Sequence, residues 1–98
     1  MKIDLKKFGT TLTSRQLGRE AYSAFKPNLS EVEKEEQVEV DFAGVDTFSP
    51  SWGDEFLTPL QYEFGDKLVL INTKNNLSIK VTLELLETLE SKYFKALS

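Results

Sequence analysis

Lys67-Leu68-Val69-Leu70-Ile71 is the segment that most narrows the fold. Four aliphatic residues in a row, closed by Gly65-Asp66 before and by asparagines from Asn72 after, are too few for a helix and far too few to span a bilayer. A short aliphatic run between turn residues reads as a strand buried on both faces, the habit of parallel sheets. Two other segments alternate polar and apolar residues as strands do: Lys2-Ile3-Asp4-Leu5 and Val38-Glu39-Val40-Asp41-Phe42. Phe8-Gly9 marks a turn, and Thr10-Thr11-Leu12 suits a short additional strand.

Helical spacing fills the intervals. Thr13 with Gln16 suits a capping box, and Leu17, Ala21, Ala24 and Phe25 form one apolar face that Pro27-Asn28 closes. Gly18 weakens such a helix by about 1 kcal/mol, which suggests another element packed closely against it. Leu29 to Gln37 is an acidic connector, and Ala43 to Thr47 a loop. Ser49-Pro50 reads as an N-cap followed by proline at the first helical position. Trp52, Phe56, Leu57, Leu60 and Phe64 give the second helix a wide apolar face, with Pro59 expected to kink or loosen it. From about Leu77 a third helix is predicted to near Ala96. Val81, Leu85, Leu89 and Tyr93 would make its apolar stripe, with Leu86 beside it and Glu84, Glu87, Thr88 and Ser91 on the wet side. Strand, helix, strand, helix, strand, helix predicts one α/β domain over residues 1–98, a compact sandwich of a mostly parallel three- to four-stranded sheet and three helices.

The composition removes several chemistries. Cysteine and histidine are absent, which excludes disulfides, thiol nucleophiles, zinc sites built on those ligands and imidazole catalysis. Gly44, Gly53 and Gly65 match neither phosphate-loop nor dinucleotide spacing, and no serine has a base set beside it by a known motif. An enzyme is therefore not expected, nor a cofactor. Asp41, Asp46, Asp54 and Glu55 could hold a magnesium ion for a metal- or nucleotide-dependent activity, although Asp54 and Glu55 also suit a helix start through its dipole alone. Charge is uneven: residues 27–66 carry eleven acids against Lys34, while the net charge is −4. Such a block repels nucleic acid and suits a basic protein partner, or is simply a solvated acidic loop. Met1-Lys2-Ile3-Asp4 places an acid where a signal peptide needs an apolar core, so a cytoplasmic chain without membrane partners is the expectation.

Residues 38–52, VEVDFAGVDTFSPSW, run from strand through Asp, Gly and Val to a serine-bearing turn. This resembles the centre of the STAS domain of bacterial anti-sigma-factor antagonists, where the strand and loop read approximately D-L-S-G-V and then D-S-S-G at a helix start. Phe8-Gly9, Leu12, Arg15 and Gly18, together with Asp41-Phe42, are similar to the STAS-like domain family of unknown function, the likeness spanning roughly residues 8–86. The resemblance implies a non-enzymatic regulatory module. Its partner would be a protein, such as a histidine-kinase-type ATPase, met through Asp46, Ser49, Ser51, Trp52, Asp54 and Glu55. A structural subunit working as a homo-oligomer is the other non-catalytic reading. Asp41 and Gly44 fall on the STAS strand and loop, and Ser51 on the serine that antagonists expose for phosphorylation. Ser49 stands where antagonists have aspartate, Pro50 where they have the first serine and Trp52 where they have glycine, which puts the phosphoswitch in doubt more than the fold. The last strand and helix of the larger domains find no counterpart. From the residues themselves, Ser49 is also simply an N-cap, Ser51 a first-turn serine and Trp52 a packing residue, while Arg15 and Arg19 are either solvated or a carboxylate clamp.

Overall fold

In chain order the elements are β1 (Lys2–Asp4), β2 (Thr11–Leu12), α1 (Arg15–Leu29), β3 (Val38–Asp41), β4 (Thr47–Phe48), α2 (Pro50–Phe64), β5 (Leu68–Ile71), α3 (Leu77–Glu90) and β6 (Lys95–Ala96). They are taken from a computed structural model that describes residues 1–74, 76–90 and 94–96. The main sheet has the order β1-β3-β5-β6, every neighbouring pair parallel. β2 and β4 form a separate parallel pair.

Register shows which face of the sheet is covered. Ile3, Val40 and Leu70 lie side by side, as do Val38 and Leu68, and all five are fully buried. They join one core cluster with Ala21, Phe25 and Leu29 of α1, Trp52, Phe56, Leu57 and Leu60 of α2, and Ile79, Leu83 and Leu86 of α3. The alternate rows, Lys2-Glu39-Val69 and Asp4-Asp41-Ile71, stand outside that cluster. Each crossover moves one way across the sheet, and right-handed crossovers of that kind lay every helix on the same face. The α/β architecture and the parallel sheet agree with the sequence expectation. Among the described residues no helix is long and apolar enough to cross a membrane.

Several boundaries differ from those predicted. Ser14, not Thr13, caps α1, accepting the Leu17 N–H at 3.2 Å. The helix also runs through Pro27 to Leu29. Burial of Leu29 draws the last turn onto the core, and the Ser30 hydroxyl bonds the Pro27 carbonyl at 2.9 Å. The buried face of α1 is therefore Gly18, Ala21, Phe25 and Leu29, while Leu17 and Ala24 face solvent. Helix α2 continues past Pro59 to Phe64. Phe48 and Thr47, expected beside or in a loop, form β4 against Thr11-Leu12.

The largest correction is the rotation of α3. Ile79, Leu83 and Leu86 point inward, and Val81, Leu85 and Leu89, predicted as the packed stripe, point out. Ser78 and Thr82 explain it. The Ser78 hydroxyl accepts the Phe48 N–H at 2.7 Å, and the Thr82 hydroxyl donates to the Phe48 carbonyl at 2.7 Å, so this side of the helix is fastened to β4. The helix is described to Glu90, and β6 follows where the sequence suggested continued helix. Tyr93 and Ser91 lie outside the described residues.

Candidate partner-binding site

The segment from Asp41 to Glu55 is a loop fastened on two sides. At its start the buried Asp41 carboxylate accepts the Ala43 N–H and the Asn72 amide, each at 2.8 Å, and meets Lys2 Nζ at 3.3 Å. Burial raises this carboxyl's pKa, and those three partners more than offset it, leaving it below the ordinary aspartate value. Gly44 turns the chain with φ of +84°, a conformation that favours glycine. On one side, the Thr10 carbonyl then accepts the N–H groups of Asp46 and Thr47, and the Leu12 carbonyl that of Ser49. On the other side, the Asn76 amide holds the Val45 carbonyl at 2.8 Å, and Ser78 and Thr82 hold both backbone groups of Phe48. Asp46 and Thr47 are exposed on this braced arch.

Ser49 has the capping role that its sequence position suggests. Its hydroxyl oxygen accepts the Trp52 N–H at 3.4 Å and its hydrogen goes to the Thr13 carbonyl at 2.9 Å. Pro50 occupies the first helical position. Ser51, half-buried at the second, makes no side-chain hydrogen bond among the described residues. Trp52 points the other way. It is 1% exposed, stacked on Phe56 with ring centroids 4.9 Å apart and set edge-on to Phe48. Its side chain, expected at a partner surface, is thus withdrawn into the core, and its backbone lies against Gly18 of α1.

Asp54 and Glu55 answer to arginines. Arg15 Nη1 lies 3.1 Å from Asp54 Oδ2 and 3.2 Å from Glu55 Oε1, and Arg19 Nη2 lies 3.1 Å from that same Glu55 oxygen. The bonds to Asp54 and Glu55 raise the pKa of Arg15 further. The α2 start is therefore a mixed-charge surface bridging α1 and α2, with the acidic excess of the chain locally compensated. Asp41, committed to Lys2 and Asn72, does not join these acids. Among the described residues no group of three or more carboxylates is placed to hold a metal ion. Two open depressions lie away from the α2 start. One of about 430 Å³ lies along α3 between Leu70 and Phe94, and one of about 590 Å³ lies beside Lys6, Lys7 and Gly44.

Sequence reasoning missed the braces. Thr10 acts through its carbonyl, which no side-chain pattern reveals. Ser78 and Thr82, four apart on one helix face, were a visible signal.

The sequence profile of a STAS-like domain of unknown function (DUF4325) matches residues 22–77, more than half of the chain. The matched stretch holds the second half of α1, then β3, the braced arch, α2 and β5, and leaves Phe8 to Gly18 outside. No curated protein and no solved structure matches.

Proposed function

We propose, from the premise that this chain belongs to the family of STAS-like domains of unknown function, that it is a non-catalytic regulatory module of the cytoplasm. It binds a protein partner through the arch from Asp46 to Ser51 and the half-buried, arginine-paired edge of Asp54 and Glu55. The resemblance to anti-sigma-factor antagonists favours a partner with a histidine-kinase-type ATPase domain. One observation carries the reading: Ser49 does the capping, so the Ser51 hydroxyl stands at a braced helix start with no side-chain hydrogen bond among the described residues. A phosphate there adds about −1.5 to −2 charges. It meets the positive end of the helix dipole. Arg15 and Arg19 temper the repulsion that Asp54 and Glu55 would otherwise exert.

The test uses the partner recovered by affinity purification with the whole chain. Ser51→Asp lowers affinity for it about tenfold or more and leaves the melting temperature within a few degrees, while Ser51→Ala behaves as wild type. Intact binding by Ser51→Asp, with destabilisation by Ser51→Ala, makes Ser51 a structural residue and removes the switch. Saturable heat on titrating the domain with Mg²⁺ and ATP would instead favour a metal- or nucleotide-dependent role for Asp41, Asp46, Asp54 and Glu55, which their separation does not support.

A further inference from the structure

Helix α3 has more apolar surface than the core takes up. With Ile79, Leu83 and Leu86 packed inward, Leu77, Val81, Leu85 and Leu89 stand outward at 72%, 52%, 42% and 66% exposure. Each step of four residues advances about 40° beyond a full turn, so the four share one arc of about 120°. Ser78 and Thr88 are the other residues in that arc, and no charge falls within it. Charges begin at one edge, where Lys80, Glu84 and Glu87 form a flank. Single exposed leucines need no explanation, but a continuous row of four on one helix does.

We propose that this row is the self-complementary contact of a two-fold dimer, α3 lying antiparallel against α3 of a second copy. The row is symmetric about the level of Leu83. A dyad at that level sets Leu77 against Leu89 of the partner subunit, and Val81 against Leu85 of the partner subunit, as an isologous contact requires. The flank carries the second argument. At about 1.5 Å per residue, Lys80 lies about 4.5 Å before the midpoint, and Glu84 and Glu87 about 1.5 and 6 Å after it. Reversing the second helix brings the partner's Glu84 and the partner's Glu87 to either side of Lys80, on the flank that faces it. Glu87 is held ready on that flank, its carboxylate accepting the Phe94 N–H at 2.8 Å. Parallel packing would set the same flank against the Ser78 and Thr82 side, whose hydroxyls are committed to Phe48. None of the residues assigned to partner binding at the α2 start belongs to the row, so the two readings stand or fall separately.

Four side chains from each copy make a contact smaller than the roughly 1,200–2,000 Å² of stable interfaces, so the dimer is a weak one. Sedimentation velocity from about 5 μM to 1 mM reads it directly. Wild-type chain shifts from monomer to dimer over that range, and Leu85→Lys remains monomeric. Lys80→Glu weakens association on the order of tenfold. A 1:1 mixture of Lys80→Glu with Glu84→Lys associates more tightly than either variant alone, since the two reversed charges attract each other across the dyad whereas each variant on its own sets like charges together. Far-UV circular dichroism checks that these exposed substitutions leave the fold intact. A monomeric wild type at 1 mM overturns the proposal and leaves the row to a different protein. A dimer indifferent to Leu85→Lys, or a mixture no tighter than its components, overturns it equally.

Discussion

Gly18→Ala is the substitution that most sharply separates helix propensity from packing in this fold. On an exposed helix face, alanine for glycine stabilises by about 1 kcal/mol. Here a Cβ would lie 2.8 Å from the Trp52 carbonyl oxygen and 3.0 Å from its Cα, short of the 3.4 Å at which ordinary contact begins. The obstacle is backbone, so no rotamer change relieves it, and α1 must move off α2 by about half an ångström. Trp52 cannot follow freely, because its ring lies among Phe8, Phe48 and Phe56. Overpacking of this kind costs up to about 3 kcal/mol. The net effect is a loss of about 2 kcal/mol, or roughly 10 °C in melting temperature for a domain of this size. Thermal unfolding followed at 222 nm and by the fluorescence of Trp52, the single tryptophan, measures it. An unchanged or raised melting temperature refutes the close approach of α1 and α2 at this glycine.

Two further outcomes follow from the site. Ser49→Ala removes a helix cap and the bond to Thr13 together, and urea denaturation should show a loss of about 1–2 kcal/mol. Asp41 has a pKa held below its ordinary value of 3.8, so its contribution is complete above that value and disappears as pH falls through the lower, folded one. Asp41→Asn is therefore less stable than wild type at pH 7, by about 1–3 kcal/mol, and the gap closes below about pH 4. A gap that stays constant in urea titrations down to pH 2 contradicts this assignment.

The strands and the α2 cap were legible because they depend on local pattern. Val38 to Phe42 alternates, Leu68 to Ile71 is continuous, and Ser49-Pro50 states a helix start on its own. Gly18 was legible as a close contact because a glycine inside a helix has a cost that packing must justify. The orientation of α3 was not. It carries two apolar stripes of helical period, 77-81-85-89 and 79-83-86, and periodicity cannot rank them. The choice is made by Ser78 and Thr82, whose hydroxyls answer backbone groups thirty and more residues away. Likewise Thr13 and Ser14 are both competent caps, and Pro27 reads as a stop until the burial of Leu29 is known. At the site, Ser49 was readable, whereas the pairing of Arg15 and Arg19 with Asp54 and Glu55 joins residues 36–40 apart. That pairing turns an apparently acidic surface into a mixed one.

Whether the arch and the α2 start face a protein partner is decided most directly by cross-linking in the cell. A benzophenone amino acid placed at Asp46, which is exposed on the arch, captures whatever protein binds there. The same probe at Glu63, exposed near the far end of α2, is the comparison. Irradiation should join the Asp46-substituted chain to a discrete larger protein, identifiable by mass spectrometry as carrying an ATPase domain, and leave the Glu63-substituted chain unjoined. Equal labelling at both positions, or no adduct at Asp46, contradicts a partner surface at the arch.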